Sequence, residues 1–310
     1  MTPTIVSLPQ QDWVDELTGL PDVELVVWDM KDAPPRDDIQ LVVPPYMSSP
    51  KRLARLSELP GLKAVQLATA GFEHALQYLP KGVSLANGRG IHDTSTAELA
   101  IGLAIAAQRA IPESVRAQAD GEWLQIAGRP SLADRKALIV GYGSIGRAIV
   151  QRLQVLEVEC TVVASRARAG DHLVDSVHGI DELSGLLPTA EVVLLILPLT
   201  DDTRHLVDEK FLAALPNDAL VVNVARGGII DTDALVRACA SGRVRAALDV
   251  TDPEPLPPDH PLWTTSGVLI TPHVGGATTA FTPRLIKLLR QEIPHFVQTG
   301  ELTNTVATGR

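Results

Sequence analysis

The chain has 310 residues, 45% of them hydrophobic and 21% charged, so it is long enough for two ordinary domains and apolar enough to bury a sizeable core. Its formal net charge of −10 argues against nucleic acid or an anionic membrane surface as the main partner, while local arginines can still hold a small anion. Its two cysteines, Cys160 and Cys239, form no CxxC or Cys/His cluster, so no metal site and no disulfide framework is expected.

The N-terminus, "MTPTIVSLPQQDW", lacks the basic start and apolar run of a signal peptide. The longest apolar runs, such as "VVLLILPL", fall well short of the roughly 18 to 20 residues that span a bilayer. A cytoplasmic protein without a membrane partner is expected. Next come three short apolar runs, "ELVVWD", "IQLVVPP" and "LKAVQLAT", which read as strands. Between the last two lies "SSPKRLARLSELPG". Its serines, its leucines at 53, 56 and 59 and its Pro-Gly stop read as a helix. Strand, helix, strand predicts a parallel sheet.

"STAELAIGLAIAAQRA" predicts a helix over 95–110, capped by Ser95 or Thr96 with Glu98 completing a capping box. It is apolar nearly all round, so it should be buried. From Lys136 onward the strands "KALIVG", "ECTVVA", "AEVVLLILP", "DALVVNVA", "RAALDV" and "GVLITP" alternate with helical stretches. They are continuous apolar runs, which fit strands covered on both faces in a doubly wound α/β domain. The last helix, "TPRLIKLLRQEIPHFVQTG", has Pro283 in its first turn and Gly300 past its end, and Pro294 predicts a kink or break.

"GYGSIG" places Gly141, Tyr142, Gly143, Ser144, Ile145 and Gly146 between a strand and a helix. In that context the glycines serve a tight turn, close approach of a pyrophosphate, and packing of helix on strand. The helix N-terminus offers its N–H groups and dipole to phosphate. The motif by itself also fits S-adenosylmethionine or another nucleotide, or a glycine-rich turn with no ligand. In a dinucleotide unit an Asp or Glu about 20 residues further on bonds the ribose 2′-hydroxyl of NAD. Here that position falls at Ala164, Ser165 and Arg166, with Arg168 close behind. No carboxylate repels a 2′-phosphate, and the two arginines and the serine can bond one, so NADP is expected over NAD. The alternative is a solvated basic loop without selectivity.

Three further stretches put polar residues just past predicted strands: "VNVARGGIIDTDAL" with Arg226, "ALDVTDPEPLPPDHPLW" with Glu254, and "VLITPHVGG" with His273. Open α/β sheets bind ligands at those carboxyl ends. Together with "LATAGFEHA", "NGRGIHDTSTAELA" and "LPLTDDTRHLVD", and in this order, they resemble the D-isomer-specific 2-hydroxyacid dehydrogenases over nearly the whole chain.

The resemblance implies an α/β fold of two Rossmann-like domains, parallel sheets flanked by helices, with the active site in the interdomain cleft. Residues 1–95 with 282–310 would form a flavodoxin-like substrate-binding domain, and residues 96–281 the dinucleotide-binding domain. The function implied is reduction of a small 2-keto acid, such as glyoxylate or hydroxypyruvate, to the D-2-hydroxy acid with NAD(P). Arg226 matches the arginine that binds the substrate carboxylate and keto oxygen, His273 the acid/base, and Glu254 its carboxylate partner. The chemistry suits these groups: a histidine can donate a proton near neutral pH, a neighbouring carboxylate favours the imidazolium, and an arginine fork fixes a 2-keto carboxylate. Asp249 competes with Glu254 as that partner but is expected inside its strand, and His260 matches a structural position.

In "TAGFEH", Ala70 and Gly71 match the loop whose N–H groups hold the substrate carboxylate, although Glu73 stands where the family often has Asp. Thr96, Leu197, Pro198, Thr200, Val224, Ala225, Arg226, Asp249, His273, Gly275 and Gly276 fall where family members line the cofactor, and Thr200 and the glycines equally fit turns and caps. A homodimer is commonly found in the family, with the helix near Ser95 as a candidate contact. Two other readings remain open. One is a phosphoglycerate or phosphite dehydrogenase on the same fold, the former disfavoured because the chain ends about ten residues after its last helix. The other is a non-catalytic dinucleotide-sensing protein like the family's corepressor branch.

Overall fold

A computed structural model of the chain describes residues 2–310 and divides into two units. The first comprises the residues up to His92 together with Thr279–Arg310, and the second Asp93–Thr278. The sequence reading sets these breaks at 95/96 and 281/282.

The first unit opens with β1 (Thr4–Leu8), α1 (Gln11–Leu17), β2 (Val23–Val27), β3 (Leu41–Val42), α2 (Pro50–Leu53), β4 (Ala64–Gln66) and β5 (Ser84–Ala86). The three expected strands are present but shorter than their apolar runs. The helix expected over "SSPKRLARLSELPG" is not one element. Only α2 is α-helical, and Ala54–Glu58 continue as a 3₁₀ helix. The reason lies in the leucines. Leu53, Leu56 and Leu59 recur every three residues and all are buried, which is the period of a 3₁₀ turn.

The second unit begins with α3 (Asp93–Gln108) and α4 (Ile111–Ala119). The start of α3 corrects the expected cap. Ser95 and Thr96 sit inside the first turn and are buried. At its other end, Arg245 donates to the Ala107 carbonyl at 3.0 Å and to Gln108 Oε1 at 2.5 Å, satisfying a helix terminus that favours cations. The all-round apolar pattern holds in part. Ala97, Ala100, Ile101, Leu103 and Ala104 are buried, while Glu98 and Gly102 are exposed.

Then follow β6 (Lys136–Val140), α5 (Ser144–Val155), β7 (Glu159–Ala164), β8 (Arg168–Ala169), β9 (Ser176–Gly179), α6 (Leu183–Leu186), β10 (Val192–Leu195), α7 (Glu209–Ala214), β11 (Ala219–Asn223), α8 (Thr232–Ala240), β12 (Val244–Leu248) and β13 (Val268–Ile270). They form an eight-stranded sheet ordered β13-β12-β11-β10-β6-β7-β9-β8, parallel except for the β8–β9 pair. All residues of β10 and β11 are buried, as their continuous apolar sequences require. One apolar cluster covers each face. Leu138, Val193, Val221 and Ala246 pack on one side, and Ile139, Leu194, Val222 and Ala247 on the other. The strand order reverses between β6 and β10, a switch point at which such sheets bind ligands.

The chain then returns to the first unit as α9 (Phe281–Thr299) and β14 (Thr305–Thr308). The first unit's six-stranded sheet runs β14-β5-β4-β3-β1-β2, with only β14 antiparallel. Pro294 does not break α9, which runs unbroken through it. Leu285, Leu289, Ile293 and Phe296 bury one stripe of the helix in the first unit's core, and that packing outweighs one lost backbone bond. Gly300 ends α9 in the left-handed region, at φ 77°. Among the described residues no helix is long and apolar enough to cross a membrane.

Candidate active site

At the carboxyl end of β6 the chain turns sharply at Gly141, whose φ of +113° is open to glycine and unfavourable to other residues. A Cβ there would overlap the carbonyl of Ile196, and one on Gly146 would overlap the carbonyl of Gly141. These two glycines let the first turn of α5 lie against the neighbouring strand ends. Gly143 is different. A Cβ on it would meet nothing within 4 Å, so the space beside its backbone is open. Gly143 is the N-cap of α5, and no side chain caps that terminus. Ser144 Oγ is turned aside to Asp93 Oδ1 at 3.0 Å. An open, uncapped helix start behind a glycine turn fits a diphosphate, because the terminal N–H groups and the dipole both favour an anion.

Beyond β7, Ser165 and Arg166 are exposed, and Arg168 donates to the Tyr142 carbonyl at 3.0 Å. Beyond β10, Leu197 is partly buried, and Pro198 and Thr200 are exposed. Thr200 is drawn into a local turn, with its N–H donating to Thr203 Oγ1 at 2.7 Å.

The end of β11 carries a signal the sequence reading passed over. Asn223 is fully buried. Its Oδ1 accepts from Ala225 N at 3.0 Å, and its Nδ2 donates to the Arg226 carbonyl at 3.0 Å. The side chain thereby folds Val224–Arg226 into a fixed bend, with Val224 and Ala225 buried and Arg226 half-buried at its exit. A polar residue ending an otherwise apolar strand was the available clue.

Gly227 follows because nothing larger fits. A Cβ would overlap the carbonyl of Thr251, so the turn after Arg226 lies directly against the loop that carries Glu254. Glu254 stands between two cis X-Pro bonds, Asp252–Pro253 and Glu254–Pro255.

Asp249 sits just past β12 rather than inside it, and its carboxylate does not pair with the His273 ring. It is 3% exposed and organises the next loop. Oδ1 accepts from Thr271 Oγ1 at 2.6 Å and Val274 N at 2.9 Å, and Oδ2 accepts from Gly275 N at 2.9 Å. The backbone carbonyl of Asp249 takes the His273 N–H at 2.8 Å. A buried carboxylate needs such donors, and here they wrap the 271–275 turn around it. Thr96 Oγ1 adds a bond to the Gly275 carbonyl at 3.4 Å, and Gly276 closes a turn with Thr278.

Within that turn His273 is held at φ +53°, a left-handed conformation uncommon for a non-glycine residue and often found at functional positions. Its Nδ1 lies 2.5 Å from Glu254 Oε1. A carboxylate can only accept, so Nδ1 carries the proton, and Nε2 is the nitrogen left to act outward. Burial pushes the Glu254 carboxyl up. The hydrogen bond and charge of His273, a backbone bond from Thr251 and the charge of Arg226 outweigh it, and the net shift is downward. The carboxylate form therefore persists well into acid. His260 accepts the Leu262 N–H and caps a short 3₁₀ helix, away from this group.

In the first unit, Ala70 and Gly71 follow β4. Their carbonyls accept from Asn87 Nδ2 and Thr69 Oγ1, both at 2.7 Å. Among the described residues their own N–H groups have no acceptor. Two adjacent bare N–H groups suit a carboxylate.

Comparison with known proteins adds the following. The family model "D-isomer specific 2-hydroxyacid dehydrogenase, NAD binding domain" matches residues 101–275. The chain is 31% identical over 275 residues to a glyoxylate reductase/hydroxypyruvate reductase of Mus musculus, covering 83% of each chain. It is 31% identical over 243 residues to a glyoxylate reductase of Thermofilum pendens, covering 76% of this chain and 71% of the relative. A D-isomer specific 2-hydroxyacid dehydrogenase from Xanthobacter autotrophicus, solved with NADPH and MES, superposes with a TM-score of 0.82 at 26% identity. It covers 99% of this chain and 98% of the other.

The two kinds of glycine separate experimentally. Gly227→Ala is expected to destabilise the fold by about 1–3 kcal/mol through overpacking, seen as a lower thermal midpoint. Gly143→Ala should leave that midpoint in place and weaken dinucleotide binding about tenfold or more, measured by NADPH fluorescence titration. Unaltered binding in the Gly143 variant would rule out close approach of the diphosphate there.

Proposed function

The chain belongs to the D-isomer specific 2-hydroxyacid dehydrogenase family, the NAD(P)-dependent reductases of 2-keto acids, and we propose that it acts on a small substrate of the glyoxylate or hydroxypyruvate kind, with NADP preferred over NAD. One observation carries this reading: the His273–Glu254 pair at 2.5 Å, on a loop packed against the Arg226 turn, in the unit that holds the glycine loop. The named relatives that are glyoxylate and hydroxypyruvate reductases support the substrate class.

Gly141, Tyr142, Gly143, Ser144, Ile145 and Gly146 would hold the diphosphate, and Leu197, Val224, Ala225, Gly275 and Gly276 would line the rest of the dinucleotide. When bound, the nicotinamide supplies the hydride that C2 of the keto acid receives. The chain's own residues do the remainder. The Arg226 fork binds the substrate carboxylate and keto oxygen and polarises the carbonyl. His273 delivers a proton from Nε2 to that oxygen as negative charge grows on it, and the carbonyl becomes the hydroxyl of the product. Glu254 accepts the Nδ1–H throughout, keeps Nε2 directed outward and stabilises the imidazolium before transfer. Asp249 and Asn223 touch none of the reacting atoms. They fix the two turns that carry His273 and Arg226. In the first unit, the N–H groups of Ala70 and Gly71 offer a carboxylate two donors.

The cofactor preference rests on the 165–168 segment, which carries Ser165, Arg166 and Arg168 and no acid. A homodimer is supported by an exposed apolar surface on α4 and the segment after it. Ile111, Val115, Trp123, Leu124 and Ile126 are all exposed, Trp123 at 88%, and a second copy of this chain would cover them.

A panel of 2-keto acids with NADH and NADPH in parallel tests the activity. Glyoxylate or hydroxypyruvate should be turned over faster with NADPH, and His273→Asn should lower kcat by about 10²-fold or more. Equal kcat/KM with both nucleotides would remove the cofactor preference, and full turnover in the histidine variant would remove the acid. Reduction needs the protonated imidazole, so its rate falls as pH rises. The Glu254 carboxylate favours that protonated form. Glu254→Gln should therefore move the alkaline limb of the kcat/KM profile to lower pH, and an unmoved limb would dissociate Glu254 from proton delivery. Sedimentation should report a dimer, and Trp123→Glu should shift it toward monomer; a monomeric wild type would exclude the interface.

A further inference from the structure

Between the first two glycines of the phosphate loop stands a large side chain that the catalytic chemistry does not use. Tyr142 is 4% exposed. Its hydroxyl donates to the Asp171 carboxylate, 3.1 Å from each oxygen. Asp171 Oδ2 also pairs with Arg147 at 2.9 Å, and its Oδ1 accepts the Leu173 N–H at 2.8 Å. Arg168 donates to the Tyr142 backbone carbonyl at 3.0 Å. The guanidinium carbons of Arg147 and Arg168 lie 5.6 and 5.9 Å from the Tyr142 ring centre, within cation–π reach. Burial, then the bond to Asp171, pushes the Tyr142 phenol up to about 12, so it stays a donor at any ordinary assay pH.

These contacts join two loops at two points. Asp171 ties the segment after β8 to the Tyr142 hydroxyl, and Arg168, at the start of β8, ties it to the Tyr142 carbonyl. Between β8 and β9 the turn is itself tight, since a Cβ on Gly170 would overlap the Val174 carbonyl. Arg166 contrasts with all of this. It is exposed and enters no hydrogen bond or ion pair among the described residues. The two arginines that the sequence presents as equivalent are therefore in different states: one is bound into the fold and the other is available.

We propose that Tyr142, Arg147, Arg168 and Asp171 form a latch that fastens the Ser165–Arg168 segment to the phosphate loop, so that Arg166 meets the 2′-phosphate of the dinucleotide from a segment already ordered. The proposal rests on the NADP reading above and sharpens it: Arg166 is the phosphate ligand, and the latch residues are positioning residues. The physical gain is preorganisation. An arginine on a loose loop gives up part of its interaction energy to ordering that loop, and a latched loop has been ordered on folding. The latch also disposes of Asp171. Its carboxylate is engaged by a hydroxyl, an amide and a guanidinium, which reduces its repulsion of a nearby phosphate.

The test is equilibrium titration of the full-length protein with NADPH and with NADH, followed by nucleotide fluorescence, for the wild type, Tyr142→Phe, Asp171→Asn, Arg166→Gln and the Arg166→Gln/Asp171→Asn double variant. Tyr142→Phe and Asp171→Asn should each weaken NADPH by about tenfold and NADH by less than about twofold, the scale of one charge-assisted contact. Arg166→Gln should abolish the preference, and adding Asp171→Asn to it should leave the NADPH:NADH ratio where it is, because the latch acts through Arg166. A further fall of the ratio in the double variant, or equal weakening of both nucleotides in the single latch variants, would overturn the proposal. The two readings fail differently. A wild type that binds both nucleotides equally defeats the NADP reading and the latch with it. A wild type that prefers NADPH, with the preference untouched in Tyr142→Phe and Asp171→Asn, defeats the latch alone.

Discussion

The eight-stranded sheet of the second unit buries its central strands on both faces, and that constraint governs where polar chemistry can occur. Along β10 and β11 no side chain reaches water. A polar group inside such a strand would lose its hydration without a partner. Polar residues are therefore displaced to the strand ends, and parallel pairing brings the carboxyl ends to one edge. Gly141, Leu197, Asn223, Asp249 and Thr271 each follow or end a strand of this sheet. The site is assembled from pieces distant in sequence because the sheet leaves them nowhere else to meet.

At that edge the second level of order is hydrogen bonding by buried polar side chains. Asn223 bends the chain so that Arg226 emerges at its exit. Asp249 gathers four donors, three on its carboxylate and one on its carbonyl, and so fixes a turn in which His273 adopts an otherwise unfavourable backbone. Such strain persists only where the surroundings over-determine it. The result is that His273 Nδ1 is committed to Glu254 before any substrate arrives. Two residues that never touch the reacting atoms thus set the orientation of two that would.

Much of this was legible in the sequence. The glycine loop, the continuous apolar strands and the positions of Arg226, Glu254 and His273 follow from local pattern, because strand burial and turn geometry are short-range properties. Elements whose form depends on packing were misread. The leucine-rich segment after Pro50 suggested one helix, but its three-residue period gave mostly a 3₁₀ turn. Pro294 suggested a break, but the buried stripe of α9 carries the helix through. The cap assigned to Ser95 or Thr96 lies two residues too far along, because α3 starts at Asp93.

The sequence by itself determined the fold class, the family and the chemical types at the site, since these reside in residue identity and spacing along the chain. Only the tertiary structure decided which of those residues are spoken for. Asp249 and Glu254 are both acids near His273 in pattern, yet one is consumed in building a turn and the other meets the imidazole. Arg166 and Arg168 are two residues apart, yet one is exposed and the other is pinned to Tyr142. Hydrogen-bond partners are set by distance in space, and residues as far apart as 142 and 171 become neighbours only once the sheet has formed.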